Sequence, residues 1–335
     1  MSSCFESMPN DLFMELFDYF DAYSIYQSFF GLNYRLNQII SHCQMYVDYH
    51  RITSSEKQKW FLENLIINRI RSLKLTNLNQ IKFQYQLSSL QTLIFIAMNA
   101  NDIKQILNSN LIPLQQLKFV SVNNCDGGKK DKDDVCKLLL SEHMLMLKEC
   151  KLEFKYGTSF KYITPTPLLQ IERLTINWCS LTNLIRLFPY LPNIKYLKVC
   201  IQRRDIAPFQ SSSIVSLNNI KELHITIFDG TYERIIRLLK CCESSKLTRL
   251  KLYFFTNIYS MIDGKQWESI LTQYVPYLIT INLDVMFSKY NVLVTSINID
   301  DLLLKYHWID KHEKWRVRIV TNHRSNEIHL SIKTL

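Results

Sequence analysis

The sequence predicts an α/β protein of repeating strand-plus-helix units, preceded by a short all-helical segment. One spaced apolar pattern recurs in near-constant phase from Ile67 to Leu283. Stretches of helical periodicity fall between its copies. The first 45 residues lack the pattern and read as three short helices.

The pattern is L-x-x-[LI]-x-x-L-x-φ, with φ apolar. Its full copies are Ile67, Ile70, Leu73, Leu75; Leu87, Leu90, Leu93, Phe95; Leu111, Leu114, Leu117, Phe119; Leu168, Ile171, Leu174, Ile176; Leu191, Ile194, Leu197, Val199; and Leu217, Ile220, Leu223, Ile225. Partial copies follow at Leu247, Leu250, Leu252 and at Leu278, Ile281, Leu283. The third positions step by 20, 24, 57, 23, 26, 27 and 31 residues. The long step holds two periods, with Leu145, Leu147, Cys150 and Leu152 as the worn copy between. The closing L-x-φ alternation is a short strand with both apolar side chains on one face.

Helical spacing appears between the strands. Ile103, Ile106 and Leu107 make one apolar stripe, and Leu181, Leu184, Ile185 and Phe188 another. Ile235, Ile236, Leu238 and Leu239 make a third; Trp267, Ile270, Leu271 and Tyr274 a fourth. A unit this small cannot bury its own apolar face. Stacked neighbours can, which predicts a curved solenoid with parallel strands on its concave side.

These copies resemble the leucine-rich-repeat family. Leu174-Thr-Ile176-Asn-Trp-Cys179-Ser-Leu181 and Leu145-Met-Leu147-Lys-Glu-Cys150-Lys-Leu152 match its L-x-L-x-x-[NC]-x-L core, where the Asn or Cys turns the chain after the strand. Other copies place Phe228, Phe255 or Met286 there. The resemblance implies a horseshoe solenoid over residues 46–300.

In the first 45 residues, Pro9 with Asp11 and Glu15 marks a helix start. Leu12, Leu16 and Phe20, flanked by Phe13 and Phe17, give it a broad apolar face. Asp21 can cap a second helix bearing Ala22, Ile25, Phe29 and Phe30, which Gly31 ends. A third would use Leu32, Leu36, Ile39, Ile40 and Cys43. Three such helices need a partner, either another chain or the solenoid.

The same residues resemble the F-box, a three-helix motif opening on a Leu-Pro pair, an acidic residue and an Ile/Leu/Phe-rich helix. Here Met8-Pro9 stands for the pair, Asn10-Asp11-Leu12 follows, and Leu16-Phe17-Asp18-Tyr19-Phe20 takes the place of the family's aromatic run. Met8 replaces the usual Leu, Asp11 the common Glu, and no Trp lies near Leu36. An F-box followed by leucine-rich repeats implies the substrate-recognition subunit of a Skp–cullin–F-box ubiquitin ligase, with no catalytic group or cofactor of its own. The F-box would hold a Skp-type adaptor, and through it a cullin, with Met8, Pro9, Leu12, Phe13, Leu16, Phe17 and Phe20. Some of these would only pack the helices together. Alternatives are a repeat scaffold whose N-terminal helices merely cap it, and a basic nucleic-acid-binding solenoid.

The target surface follows from register. Residues alternating with the buried leucines line the concave face: Lys74, Lys118, Thr175, Lys198, His224 and Lys251. Four of the six are lysines, which favours an acidic or phosphorylated target.

Composition narrows the class. Among 335 residues, 47% are hydrophobic and 12% aromatic, ample for a core, while Gly (6) and Pro (8) are scarce. The net charge of +10 is uneven: residues 1–45 carry −4 and the rest +14. The basic excess is scattered, which argues for a Lys-rich surface before a nucleic-acid tract. Lys129-Lys130-Asp131-Lys132-Asp133-Asp134, after Gly127-Gly128, reads as an exposed loop. Nine cysteines without any C-x-x-C point to reduced, buried thiols. No apolar run reaches membrane-span length and no secretory signal is legible, so a cytoplasmic or nuclear location is expected.

Enzyme and metal motifs are missing: there is no G-x-G-x-x-G, P-loop or H-E-x-x-H. His307, His312, His323 and His329, with Asp310, have no common metal spacing. Arg316–Val320 and Ile328–Ile332, joined through 322–326, alternate like a hairpin, and residues 301–335 read as the cap of the last repeat.

Overall fold

The computed structural model describes residues 7–49, 61, 63, 65–77, 86–158, 160, 168, 170–202, 216–228, 231–243, 245–256 and 263–288. It also describes the backbone of 315–322 and 327–334, with the side chains of Ser331 and Ile332. The chain divides into two compact units, Met1–Lys155 and Tyr156–Leu335. The protein is α/β, its strands are mostly parallel, and the sheet of neither unit closes into a barrel.

The first unit opens with α1 (Asn10–Phe17), α2 (Ala22–Phe29) and α3 (Tyr34–His42). Asp21 caps the second helix as expected, and Asn33, not singled out in the sequence, caps the third. Asp21 accepts from the Ser24 amide at 3.0 Å, and Asn33 accepts from the Leu36 amide at 2.8 Å. Gly31, at φ +84°, ends the second helix. Five parallel strands follow, neighbours in space in the order they occur in the chain: β1 (Met45–Asp48), β2 (Ile70–Leu75), β3 (Thr92–Ile96), β4 (Phe119–Cys125) and β5 (Glu149–Phe154). Helix α4 (Ala100–Leu107) joins β3 to β4, and α5 (Lys129–Leu139) joins β4 to β5.

The second unit repeats the plan. Strands β6 (Arg173–Cys179), β7 (Tyr196–Ile201), β8 (Glu222–Phe228), β9 (Arg249–Thr256) and β10 (Thr280–Ser288) are parallel and again ordered by sequence. Helices α6 (Leu181–Leu187), α7 (Tyr232–Lys240) and α8 (Gly264–Tyr274) lie between them. β11 (Trp315–Asn322) and β12 (Glu327–Thr334) form the hairpin expected from their alternation, and β12 pairs antiparallel with β10.

Period-two burial fixes which strand face is covered. Along β8, Leu223, Ile225 and Ile227 are buried while Glu222, His224, Thr226 and Phe228 stay partly exposed. Leu174, Leu197, Leu223, Leu250 and Ile281 are register partners across the second unit, and all are buried. Each such side chain contributes about 1.5–3 kcal/mol of burial. In α6, α7 and α8 the apolar stripes are inward, except that Ile236 is half-buried and Phe188 is buried in the 3-10 turn after α6.

Three expectations are corrected. Strand β4 starts at Phe119, and Leu93 pairs with Val120, not with Leu117. Leu117 is buried in the turn before the strand, closing a 3-10 turn over Leu114–Gln116. The worn copy also shifts: β5 turns Cys150, Leu152 and Phe154 inward, Leu145 is exposed, and Cys150 sits early in the strand, not at its end. Lys129–Asp134 is no loop but the first turns of α5, which carries Val135, Cys136 and Leu139 into the core. Its Lys132 and Asp133 are themselves buried, Lys132 reaching Asp126 at 3.7 Å, and Asp134 pairs with Lys104 of α4 at 2.5 Å. Lys132 and Asp134 find partners on neighbouring segments while Lys129 and Lys130 stay exposed, so the density of charge did not signal a solvated loop.

Ala97, Asn124 and Trp178 adopt φ of 52°, 51° and 48°, each just before an inward-turned residue, Met98, Cys125 or Cys179. This left-handed step ends the strand; β4 and β6 show register breaks at the same place. Cys179 is the last residue of β6 and is buried, one place after the left-handed Trp178.

Eight described cysteines are free, and all but Cys200 are buried. Burial pushes the thiols of Cys43 and Cys125 up to about 11 and that of Cys150 to about 12. Since the thiolate is the nucleophile, these groups are inert near neutral pH. In a Cys4→Ser background, a maleimide at pH 7.5 is expected to label Cys200 at most, the others reacting only in denaturant. Fast labelling of several thiols in the native protein would contradict this packing. Among the described residues no helix is long and apolar enough to cross a membrane.

Candidate functional site

Two surfaces carry the residues singled out in the sequence. The first is on the N-terminal helices. Phe13 and Phe17 point inward, their rings 6.0 Å apart, and Phe17 meets Phe29 at 5.1 Å. These two of the seven expected adaptor residues therefore hold the helices together. Pro9, Leu12 and Phe20 are exposed, and Met8 and Leu16 are half-buried. Leu12 and Leu16, four apart, share one side of α1. Leu32 and Tyr34, 64% and 79% exposed, extend the apolar surface. Arg35 brings them close, donating to Asn10 at 2.8 Å and to the Met8 carbonyl, so the start of α3 lies beside the start of α1. Leu32, expected inside the third helix, precedes it and stays outside the core. The opposite side of the helices is occupied: α2 packs on β1, and Tyr26 meets Phe61 edge-on at 5.8 Å.

The second surface is the strand face away from the helices. In the first unit, Asp48, Lys74, Ile94, Ser121 and Lys151 form one register row. Lys74 is on that row but paired with Asp48 at 2.8 Å. Lys118 is not on it. It precedes β4, exposed, and its place in the row belongs to Ser121, because β4 starts three residues later than the leucine pattern indicated.

In the second unit the row is Thr175, Lys198, His224, Lys251 and Asn282, which brings four of the expected target residues side by side. Thr175 is buried; Lys198 is exposed and Lys251 half-buried, and neither has an ion-pair partner among the described residues. His224 is well tied. Its Nδ1 lies 3.3 Å from the Tyr196 hydroxyl and its Nε2 2.8 Å from Glu222, which also faces Arg249 at 3.6 Å. Arg173 stacks on Tyr196 at 4.4 Å. Burial first, then the Lys251 ammonium, hold the His224 pKa below its ordinary value against the pull of Glu222, and Lys198 adds to the lowering. These influences together favour the neutral imidazole.

Along the same strands lies an aromatic band that the sequence reading missed. Trp178 meets Phe228 at 4.8 Å, and Phe228 stacks on Phe255 at 4.7 Å with planes 3° apart. Tyr253, on the same face between the two rows, is 41% exposed and accepts from Asn282 at 3.2 Å. The signal was present: Phe228 and Phe255 follow His224 and Lys251 by four residues, so period two puts them on the same face.

No group of three or more His, Cys, Asp or Glu side chains among the described residues is arranged to hold a metal ion. His307, Asp310, His312 and His323 lie outside the described residues, and His329 is known by its backbone pairing to Met286 and Val320. No protein-family model matches the chain, and no curated protein matches it.

Proposed function

We propose that the chain is the substrate-recognition subunit of a Skp–cullin–F-box type ubiquitin ligase, acting in the cytoplasm or nucleus. Its three N-terminal helices are the F-box, and its strand units are a degenerate leucine-rich-repeat solenoid whose open face holds the target. One observation carries the reading: a three-helix module keeps Leu12, Leu16, Phe20, Leu32 and Tyr34 at least partly outside its core while Phe13, Phe17, Ile25 and Tyr26 fill it. A face of that kind suits a partner chain. The sequential parallel strands in an unclosed sheet support the second half, because a repeat array pairs each strand with its neighbours in the chain. The protein supplies no reacting group. It contributes proximity, raising the effective concentration of a target lysine beside a charged conjugating enzyme.

The test is co-purification of the full chain with a Skp-type adaptor. Capture is expected, and the double variant Leu12→Asp, Phe20→Asp is expected to abolish it without moving the thermal transition, since both side chains are exposed. Phe17→Ala should instead lower the transition. An unaltered chain that captures no adaptor overturns the proposal. A second reading, that these helices only cap the strands, is favoured by α2 on β1 and by Tyr26, whose hydroxyl accepts from the Ile66 amide at 3.3 Å. It predicts no adaptor capture and a strong loss of stability when residues 1–45 are removed.

A further inference from the structure

We propose that the open strand face of the second unit binds an extended phosphorylated peptide at two points: a phosphoryl group between Lys198 and Lys251, and a large apolar side chain four residues away on the edge of the Trp178–Phe228–Phe255 stack. The inference rests on that face being the target surface, and it names what the target presents there.

The anion point follows from charge and register. Lys198 and Lys251 occupy equivalent places on β7 and β9, on either side of β8, so their backbones are about 10 Å apart at the usual strand spacing. Both lysines flank the same central residue, His224, in register, and its ring nitrogens are engaged by Tyr196 and Glu222. Other cations of the face are compensated: Arg249 faces Glu222 and Arg173 lies on the Tyr196 ring. Two ammoniums with no ion-pair partner among the described residues, one on either side of His224, are matched by a dianion. A phosphoryl group carries nearly two negative charges at pH 7 and enough oxygens for both lysines, whereas a single carboxylate leaves one cation unmatched.

The apolar point follows from the ring geometry. Phe228 and Phe255 sit four residues beyond His224 and Lys251, so the stack lies about 13 Å along the strands from the lysine row. An extended peptide laid along the strands spans the same distance in four residues and turns the alternate side chains toward the sheet. The central ring presents its edge, not its faces: Phe228 is covered by Trp178 on one side and by Phe255 on the other. That leaves no free face on the central ring for a stacked base of single-stranded nucleic acid. An aliphatic or aromatic side chain needs only the apolar shelf, to which Tyr253 adds.

The test uses the purified full chain and fluorescein-labelled nine-residue alanine-based peptides with phosphoserine and phenylalanine four positions apart, in both orders. Fluorescence anisotropy in low salt is expected to give at least about tenfold tighter binding of one order than of its unphosphorylated twin. Lys198→Gln with Lys251→Gln should erase that difference, and Phe255→Ala should weaken phosphorylated and plain peptides alike. The lysine variants are on the surface, so an unchanged thermal transition confirms that they fold. Equal binding of the two twins overturns the proposal, as does a glutamate peptide that binds as tightly as the phosphopeptide. A uridine nonamer that outcompetes the peptides also overturns it, in favour of nucleic acid. None of these readouts involves the adaptor, so failure here and failure of adaptor capture are separate results.

Discussion

Gly157→Ala is expected to destabilise the second unit by at least about 3 kcal/mol, the sum of a left-handed backbone penalty and a forced overpacking. Gly157 has φ +74°, and a Cβ there would sit 2.0 Å from the Trp178 carbonyl oxygen and 2.8 Å from the Trp178 Cβ. Neither atom belongs to a flexible side-chain end. The contact also carries a bond, since the Thr158 amide donates to that carbonyl at 3.1 Å. Trp178 has a left-handed backbone of its own, so it has little room to retreat. Gly31→Ala is the control: it too has positive φ, at +84°, but nothing lies within 4 Å of the added methyl. Its cost should stay near about 1 kcal/mol. Urea unfolding of the two variants decides it. Equal midpoints would mean that the approach of Gly157 to Trp178 is not real.

The second large effect is at Trp267, where substitution by alanine should cost about 3–5 kcal/mol. The indole is fully buried on α8 and meets Tyr232 of α7 at 5.4 Å and Phe254 of β9 at 5.6 Å. One side chain thus joins two helices and a strand, and no neighbour is small and mobile enough to refill its volume. Trp267→Phe keeps much of the contact and should lose clearly less. Equilibrium unfolding measures both, and hydrogen exchange should show α7, α8 and β9 opening together in the alanine variant. A loss under about 1 kcal/mol would put Trp267 outside the core.

Much of this architecture was legible because the pattern repeats. Leu174, Leu197, Leu223, Leu250 and Ile281 were aligned by spacing, and they are the residues that pair. The misreadings share one cause. A search keyed on leucine finds Leu117 and Leu147, which fill the turns before β4 and β5. Those strands offer Val120 and Cys150 at the position leucine holds elsewhere. Apolar volume, not residue identity, sets the register there. Lys118 was displaced from the open face for the same reason. On the N-terminal helices, spacing identified the apolar residues but not which would stay outside, because Phe13 and Phe17 differ from Leu12 and Leu16 only by a turn of 100°. The aromatic stack needs three strands to be seen at once, and no single segment contains it.

The order of the strands bears on how the chain is made. From β1 to β5, and again from β6 to β10, every strand pairs with the one synthesised just before it. As the chain leaves the ribosome, each new strand meets an edge that is already in place, and it never has to wait for a distant segment. Only the final hairpin departs from this, since β12 reaches β10 ahead of β11. Covering the β10 edge therefore waits until β12 has been made, and a ribosome stalled before β12 leaves that edge bare.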